Sequence, residues 1–213
     1  MRFHALAVLP LLLPGTAMAQ RGATETWPAL HVYWQPAERQ RSFLDLSLSA
    51  EREGTKREGT VGFFQDYLRL PRAFARVGYS ATFSLRDASY RESRFVGEVN
   101  LGYALSRTLR LVNRVRSELR WVNGAYSYRL RERVHVQRTT RADHVPRSRP
   151  YATLEAYYDS RYDTIARVGG RVGTELRLRG SDFFDVYLAR QNNSRGLPPY
   201  VNALGLTLRL TYR

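Results

Sequence analysis

Between Arg110 and Arg131 the chemistry of the chain changes sides at almost every residue, and that two-residue period confines the segment to β-strand. Arg110, Arg114, Arg116, Glu118 and Arg120 share one parity, and Leu109, Leu111, Val115, Leu119 and Trp121 share the other. After Asn123-Gly124, a dipeptide suited to a tight hairpin turn, Ser127, Arg129 and Arg131 oppose Tyr126, Tyr128 and Leu130. Alternate side chains of a strand point to opposite faces of a sheet. One face is therefore arginine and carboxylate, the other aliphatic and aromatic. In a soluble sandwich the apolar face is the core and the arginines meet water. In a membrane barrel the apolar face meets lipid and the arginines line the lumen.

The alternation recurs along most of the chain. Leu44, Leu46, Leu48 and Ala50 oppose Asp45, Ser47, Ser49 and Glu51. Val77, Tyr79, Ala81, Phe83 and Leu85 oppose Arg76, Gly78, Ser80, Thr82, Ser84 and Arg86. Val99, Leu101, Tyr103 and Leu105 point away from Glu98, Asn100, Gly102 and Ala104. Ala152, Leu154, Ala156 and Tyr158 oppose Thr153, Glu155, Tyr157 and Asp159, and Ala166, Val168, Val172, Leu176 and Leu178 oppose Arg167, Arg171, Glu175 and Arg177. Phe184, Val186 and Leu188 oppose Asp185, Tyr187 and Gln191, and Leu204, Leu206, Leu208, Leu210 and Tyr212 share the last face. With the aromatic run Val61 to Leu70, these segments make about ten strands, in a range of about eight to twelve that a barrel of this length accommodates. A further short strand, Leu30 to Trp34, stands outside that count. Glu51 to Thr60, Asp87 to Ser93, Thr139 to Pro150 and Asn192 to Pro199 read as loops, and Gly169-Gly170 reads as a kink or bulge. With both termini on the periplasmic side, Ser106-Arg107 and Gly180-Ser181 fall among the short turns. The long loop Thr139 to Pro150 falls on that side too, against the usual pattern.

The first residues assign a compartment. Arg2 gives a positive start, Ala5 to Leu13 is an apolar run interrupted only by Pro10, and Pro14-Gly15 precedes Ala17-Met18-Ala19. This is the pattern of a cleaved signal peptide with Gln20 as the mature N-terminus. The run is too short for a spanning helix, which needs about 20 apolar residues. The chain contains no cysteine, which excludes a lipidated N-terminus and a disulfide framework. Residues 1–19 read as the signal peptide, 20–40 as an N-terminal segment and 41–213 as the barrel.

Charge then selects between sandwich and barrel. Lys and Arg number 34 against 19 Asp and Glu, a formal net charge of +15, and Lys56 is the only lysine. The arginines follow strand period instead of forming one basic run, so no nucleic acid is expected as a partner. An arginine facing lipid near the midplane costs about 2–4 kcal/mol. In a membrane they must therefore face inward, beside Glu98, Glu118, Glu155, Glu175 and Asp185 of the same parity. Arg114, Arg116, Glu118, Arg120, Ser127, Arg129, Arg131, Glu155, Arg167, Arg171, Glu175 and Arg177 are the expected lumen lining: a plug, or a narrow anion-biased path. Three features favour the membrane barrel. The strands approach the 9–11 residues that a spanning strand needs. Trp121, Tyr126, Tyr151, Tyr158, Tyr162, Tyr200 and Tyr212 lie at strand ends, as interfacial girdles do. Gly205, Leu208, Leu210 and Tyr212 form a C-terminal pattern like the assembly signal of outer-membrane barrels, although Arg213 follows the closing aromatic. The reading is an all-β, antiparallel up-and-down transmembrane barrel in the outer membrane. Its expected partners are outer-membrane lipid, lipopolysaccharide and, through the last strand, the barrel-assembly machinery.

Catalytic signals are sparse. His31, His135 and His144 are the histidines outside the signal segment. A hydrolase triad of Ser127, His135 and Glu155 is one arrangement the residues allow, and it would make the chain a lipid- or lipopolysaccharide-modifying enzyme. A third reading is a soluble periplasmic basic β-protein binding an anionic polymer. No acidic or histidine spacing suggests a metal, and no cofactor is expected.

Several motifs in order carry a resemblance. They are Asp66-Tyr67, Arg76-Val77-Gly78-Tyr79, Asn113-Arg114-x-Arg116-x-Glu118-x-Arg120, Ser127-x-Arg129-x-Arg131, Pro150-Tyr151-x-x-x-Glu155-x-Tyr157-Tyr158-Asp159 and Tyr187-x-x-x-Gln191. Together they resemble an uncharacterised family of Gram-negative outer-membrane proteins, a domain of unknown function. The resemblance implies a signal peptide and an antiparallel barrel, and it implies no activity.

Overall fold

The computed structural model describes residues 22–52, 56–70, 72–86, 89–138, 147–195 and 198–212. The expected signal peptide, His144 and Arg213 lie outside these residues. The alternating segments are strands: β1 (Ala23–Ala37), β2 (Gln40–Glu51), β3 (Arg57–Leu70), β4 (Ala73–Ser84), β5 (Arg91–Ala104), β6 (Leu109–Val122), β7 (Ala125–Arg138), β8 (Ser148–Asp159), β9 (Thr164–Arg177), β10 (Phe183–Asn193) and β11 (Tyr200–Tyr212). They form one closed barrel in which each strand from β2 to β11 lies beside its neighbours in sequence. Those pairings are antiparallel, and β1 closes the barrel between β2 and β11.

Eleven strands fall within the expected range, but the additional one changes the closure. β1 begins at Ala23 and is 15 residues long, so the barrel starts inside the segment read as N-terminal to it. β1 runs parallel to β11, with Leu30 opposite Leu208. The starts of β1 and β11 therefore share one rim, and the ends of both strands share the other. This corrects the expectation that both termini face one side. Here the rim where β1 starts is called the entry rim, and the opposite one the exit rim.

Local chemistry sets the turns and the faces. Asn123 and Gly124 have φ of 51° and 87°, the positive values that a two-residue hairpin turn requires and that Asn-Gly adopts readily. Asn123 also ties the turn to its neighbour, accepting from the Arg91 amide at 2.8 Å and donating to the Ser89 carbonyl at 2.9 Å. In β9 the irregularity lies at Ala166, not at Gly169-Gly170. Tyr157 faces Arg167 while Tyr158 faces Ile165, so Ala166 is one extra residue. The bulge lets Ile165 point outward and Arg167 inward, and it buries Ala166, which simple parity had placed outside. Glu58, expected in a loop, is part of β3 beside Lys56 at 3.4 Å.

The outer wall is apolar. Leu188 is 63% exposed, Leu154 61%, Val172 59% and Phe95 55%, with Phe63, Val77, Val115, Ile165 and Val168 also exposed. A groove of about 930 Å3 runs among Val134, Val136, Leu154, Val172, Leu188 and Leu204. The interior is the reverse, since Asp66 and Glu118 have no exposed surface and Arg120 and Asp159 are 1% exposed. A narrow barrel admits large inward rings only where the opposing backbone is bare. The Tyr187 ring lies over Gly205, where an added Cβ would come within 2.0 Å of it.

Candidate functional site

Most of the interior charges form one connected network that runs from rim to rim. Near the entry rim, Arg120 donates from Nε to Glu92 at 2.5 Å and from Nη1 to Asp159 at 2.8 Å. Arg94 also reaches Glu92, at 3.1 Å, and Arg129 and Arg161 reach Asp159, at 3.2 and 2.9 Å. The Tyr90 hydroxyl, just before β5, donates to Glu92. Burial, and then the negative charge of Glu92, push that phenol up to about 12.

At mid-depth three glutamates gather the remaining arginines. Glu118 is held by Arg131 at 2.8 Å, Arg116 at 2.9 Å and Arg129 at 3.6 Å. Glu155 meets Arg133 at 3.0 Å, Arg131 at 3.1 Å, Arg171 at 3.7 Å and Arg114, and it accepts from the Tyr157 hydroxyl at 2.9 Å. Glu98 meets Arg114, Arg116 and Arg76 at 3.4, 3.6 and 3.9 Å. Toward the exit rim, Arg76 and Arg41 both reach Asp66 at 2.6 Å. A separate cluster there joins Glu175 to Arg209 at 2.8 Å and Arg149 at 3.4 Å, with Gln137 donating at 2.7 Å. The planar guanidinium suits this sharing because its several donors can serve two carboxylates at once.

Most of the residues expected to line the lumen belong to this network: Arg114, Arg116, Glu118, Arg120, Arg129, Arg131, Glu155 and Arg171. Glu175 belongs to the exit-rim cluster. Ser127 is buried opposite Arg120, with no partner for its Oγ. Arg167 instead donates to Asn193 at 2.7 Å. Arg177 is exposed at the end of β9, where its Nε donates to the Gly180 carbonyl at 2.9 Å.

Part of the lumen was not read from sequence. Tyr33, Phe43 and Phe64 stack at 4.5 and 5.3 Å between ring centres, and Arg76 lies 4.8 Å over Phe43. These rings form an aromatic wall beside the charges. Tyr151, read as a girdle residue, points inward and donates to Asp185 at 2.9 Å. Its parity with Thr153 and Glu155 carried that information. On the outer wall, Glu132 is exposed near the middle of β7 and accepts from Asn113 at 3.1 Å.

The triad is not assembled. Ser127 and His135 lie on one strand eight residues apart, about 26 Å at strand rise. His135 Nδ1 instead meets Thr153 Oγ1 at 3.0 Å, and Glu155 is occupied by arginines. Among the described residues no group of three His, Asp or Glu side chains is placed to hold a metal. Beside Thr153, Glu155, Tyr157, Gly169, Arg171 and Gln191 lies a gap of about 10 Å3, about the room of one water. The network can hold strands in register and fill the bore, but its carboxylates are already engaged by cations. A comparison with known families finds no matching family model, and a comparison with characterised proteins finds no match.

Proposed function

We propose that the chain is an outer-membrane barrel, exported by a cleaved signal peptide, whose Arg/Glu network closes the lumen as a plug without catalysis. The observation that carries this reading is the inversion of polarity: a band of exposed aliphatic and aromatic side chains surrounds a charged interior. Apolar surface on that scale is far beyond the few hundred Å2 patches of soluble monomers, and lipid is the solvent it suits. Strands of 11 to 15 residues are long enough to span. The full lumen favours a plug over an anion-biased path. On this reading outer-membrane lipid and lipopolysaccharide cover the wall, and β11 is the strand presented to the assembly machinery. The motif resemblance agrees with it.

The test is fractionation followed by a heat-modifiability gel on outer-membrane fractions. The expected result is a chain that needs detergent for extraction and migrates differently before and after boiling. Recovery as soluble periplasmic material would refute the membrane reading. A specific observation favours that second, soluble reading: single-chain bacterial barrels have even strand numbers, whereas this one has eleven.

A further inference from the structure

The outer wall is not apolar throughout. At the entry-rim end of its groove, one row of outward side chains crosses four neighbouring strands: Arg190 on β10, Asn202 on β11, Thr24 on β1 and Arg52 just after β2. Arg190 stands opposite Asn202, and Asn202 beside Thr24. The Arg52 amide donates to the Thr24 carbonyl at 2.8 Å. All four residues border the groove. The row offers two cations, an amide and a hydroxyl, and no carboxylate. Glu25 and Glu51 also border the groove, but they stand opposite each other on the inward parity. Glu25 is buried and accepts from Trp27 at 2.6 Å and from Ser49 at 2.5 Å.

Arg190 is exposed, three residues before the end of β10, or about 10 Å inside the rim at strand rise. Among the described residues its partners are neutral: Asn192 Oδ1 at 3.3 Å, Asn202 Oδ1 at 3.5 Å and the Tyr200 ring at 4.5 Å. These contacts lean its guanidinium toward β11, and so toward Arg52. The backbones of Arg190 and Arg52 are three strand spacings apart, about 14 Å. Two long side chains can therefore close on one group seated over Asn202 and Thr24.

Below this row the groove is apolar. Leu154, Val172, Leu188 and Leu204 flank the small Ala152 and the bare Gly170, where an added Cβ would meet nothing nearer than 3.7 Å. Its volume of about 930 Å3 is that of a small-molecule site, about 300–1,000 Å3. An apolar trough that ends in cationic donors matches an amphiphile with an anionic head. The arginine fork fits phosphate oxygens, and four donors across this span exceed what one carboxylate can accept.

We infer that this face of the wall binds an anionic phospholipid, its phosphate held by Arg190 and Arg52 and its acyl chain laid in the groove. The inference rests on the membrane reading and adds to it a lipid class and a place.

The experiment is native mass spectrometry of the full mature chain refolded in non-ionic detergent. The probes are dioleoyl phosphatidylglycerol and dioleoyl phosphatidylcholine, which share chains and differ in headgroup charge. One phosphatidylglycerol should be retained in preference to phosphatidylcholine. Arg190→Gln should cut that preference about tenfold, the scale of one charge-assisted hydrogen bond. Arg91→Gln, at an exposed outward arginine away from the groove, should leave it intact. Gly170→Leu fills the groove without placing charge on the wall, and should weaken retention of phosphatidylglycerol. Equal retention of the two lipids by the wild type overturns the inference whether or not any variant folds. So does a preference unchanged in Arg190→Gln or reduced equally in Arg91→Gln, or retention unchanged in Gly170→Leu. Displacement by glycerol phosphate would assign the row to a free phosphate instead, and displacement by oleate to a fatty acid, and either result overturns the phospholipid. A chain recovered without detergent would refute the membrane reading and this inference with it, whereas a heat-modifiable, detergent-requiring chain with no lipid preference would refute this inference alone.

Discussion

Two carboxylates on neighbouring strands carry opposite expectations because they face opposite ways. Glu118 is fully buried on β6, where three arginines depend on it. Glu118→Ala leaves them with an unbalanced buried charge, a loss of about 3–5 kcal/mol. Glu132 is exposed on the outer wall of β7 with Asn113 as its hydrogen-bond partner. In lipid a carboxylate there is a cost, so Glu132→Leu should leave stability unchanged or raise it. Urea midpoints of both variants refolded in vesicles check this, and the reverse order would refute the face assignment. Tyr90 gives a pH signature. Its folded value lies near 12, above the ordinary 10, so the protonated phenol is favoured by folding. That contribution is complete below pH 10 and is lost as pH rises toward 12. Tyr90→Phe should therefore lose less stability than the wild type across that window. Equal slopes would show that burial and Glu92 together do not shift the phenol on folding.

At the scale of elements the seam formed by β1 is the decisive feature. Without β1, the remaining ten strands would close as a wholly antiparallel barrel with β2 beside β11. With it, Leu30 lies between Leu46 and Leu208 in one row. The chain has no cysteine, so paired cysteines report this directly. Leu30→Cys with Leu208→Cys should cross-link through a short bifunctional thiol reagent, and Leu46→Cys with Leu208→Cys should not. The opposite outcome would remove β1 from the barrel. On the outward faces, Val168→Arg and Leu188→Arg should each impair assembly by about 2–4 kcal/mol, with Ser106→Arg in an exposed turn as the control. Equal damage from all three, read from the fraction reaching the heat-modifiable form, would contradict the lipid-facing assignment. The same elements show what sequence can and cannot disclose. β6 and β7 were legible because arginine alternates with leucine or tyrosine. β1 was legible only as the short stretch Leu30 to Trp34 left outside the barrel count, because Trp27, Ala29 and Tyr33 face inward while Leu30, Val32 and Trp34 face outward, so the two faces lack contrast. The Ala166 bulge was hidden for a related reason, since a small residue fits either face. Parity gave the inward arginines, but which arginine meets which glutamate depends on register between strands, and no single strand encodes that.

Across the whole molecule, the consequence of parallel closure is that the chain enters at one rim and leaves at the other. Tags attached before Ala23 and after Tyr212 should therefore be accessible from opposite sides of a vesicle. The short turns Ser106-Arg107 and Gly180-Ser181 share the exit rim, so a tag in either should behave as the C-terminal one does. Conduction depends on the bore between those rims. Eleven strands enclose slightly more space than the eight that side chains already fill. Here arginine stems, Tyr157, Tyr187 and the Tyr33–Phe43–Phe64 stack occupy it, and the gap beside Glu155 is about 10 Å3. A hydrated ion has no path through such a gap. Planar-bilayer recordings of the refolded chain should consequently show no steady conductance. Replacing Arg131 and Tyr157 together by alanine removes the cation and the ring that meet at 4.4 Å at mid-depth. If that variant still folds by heat-modifiability, it should admit ions, with anions favoured because the remaining arginines outnumber the carboxylates. A wild-type barrel that conducts steadily would refute the plug, and a cation-selective opened variant would refute the positive lumen.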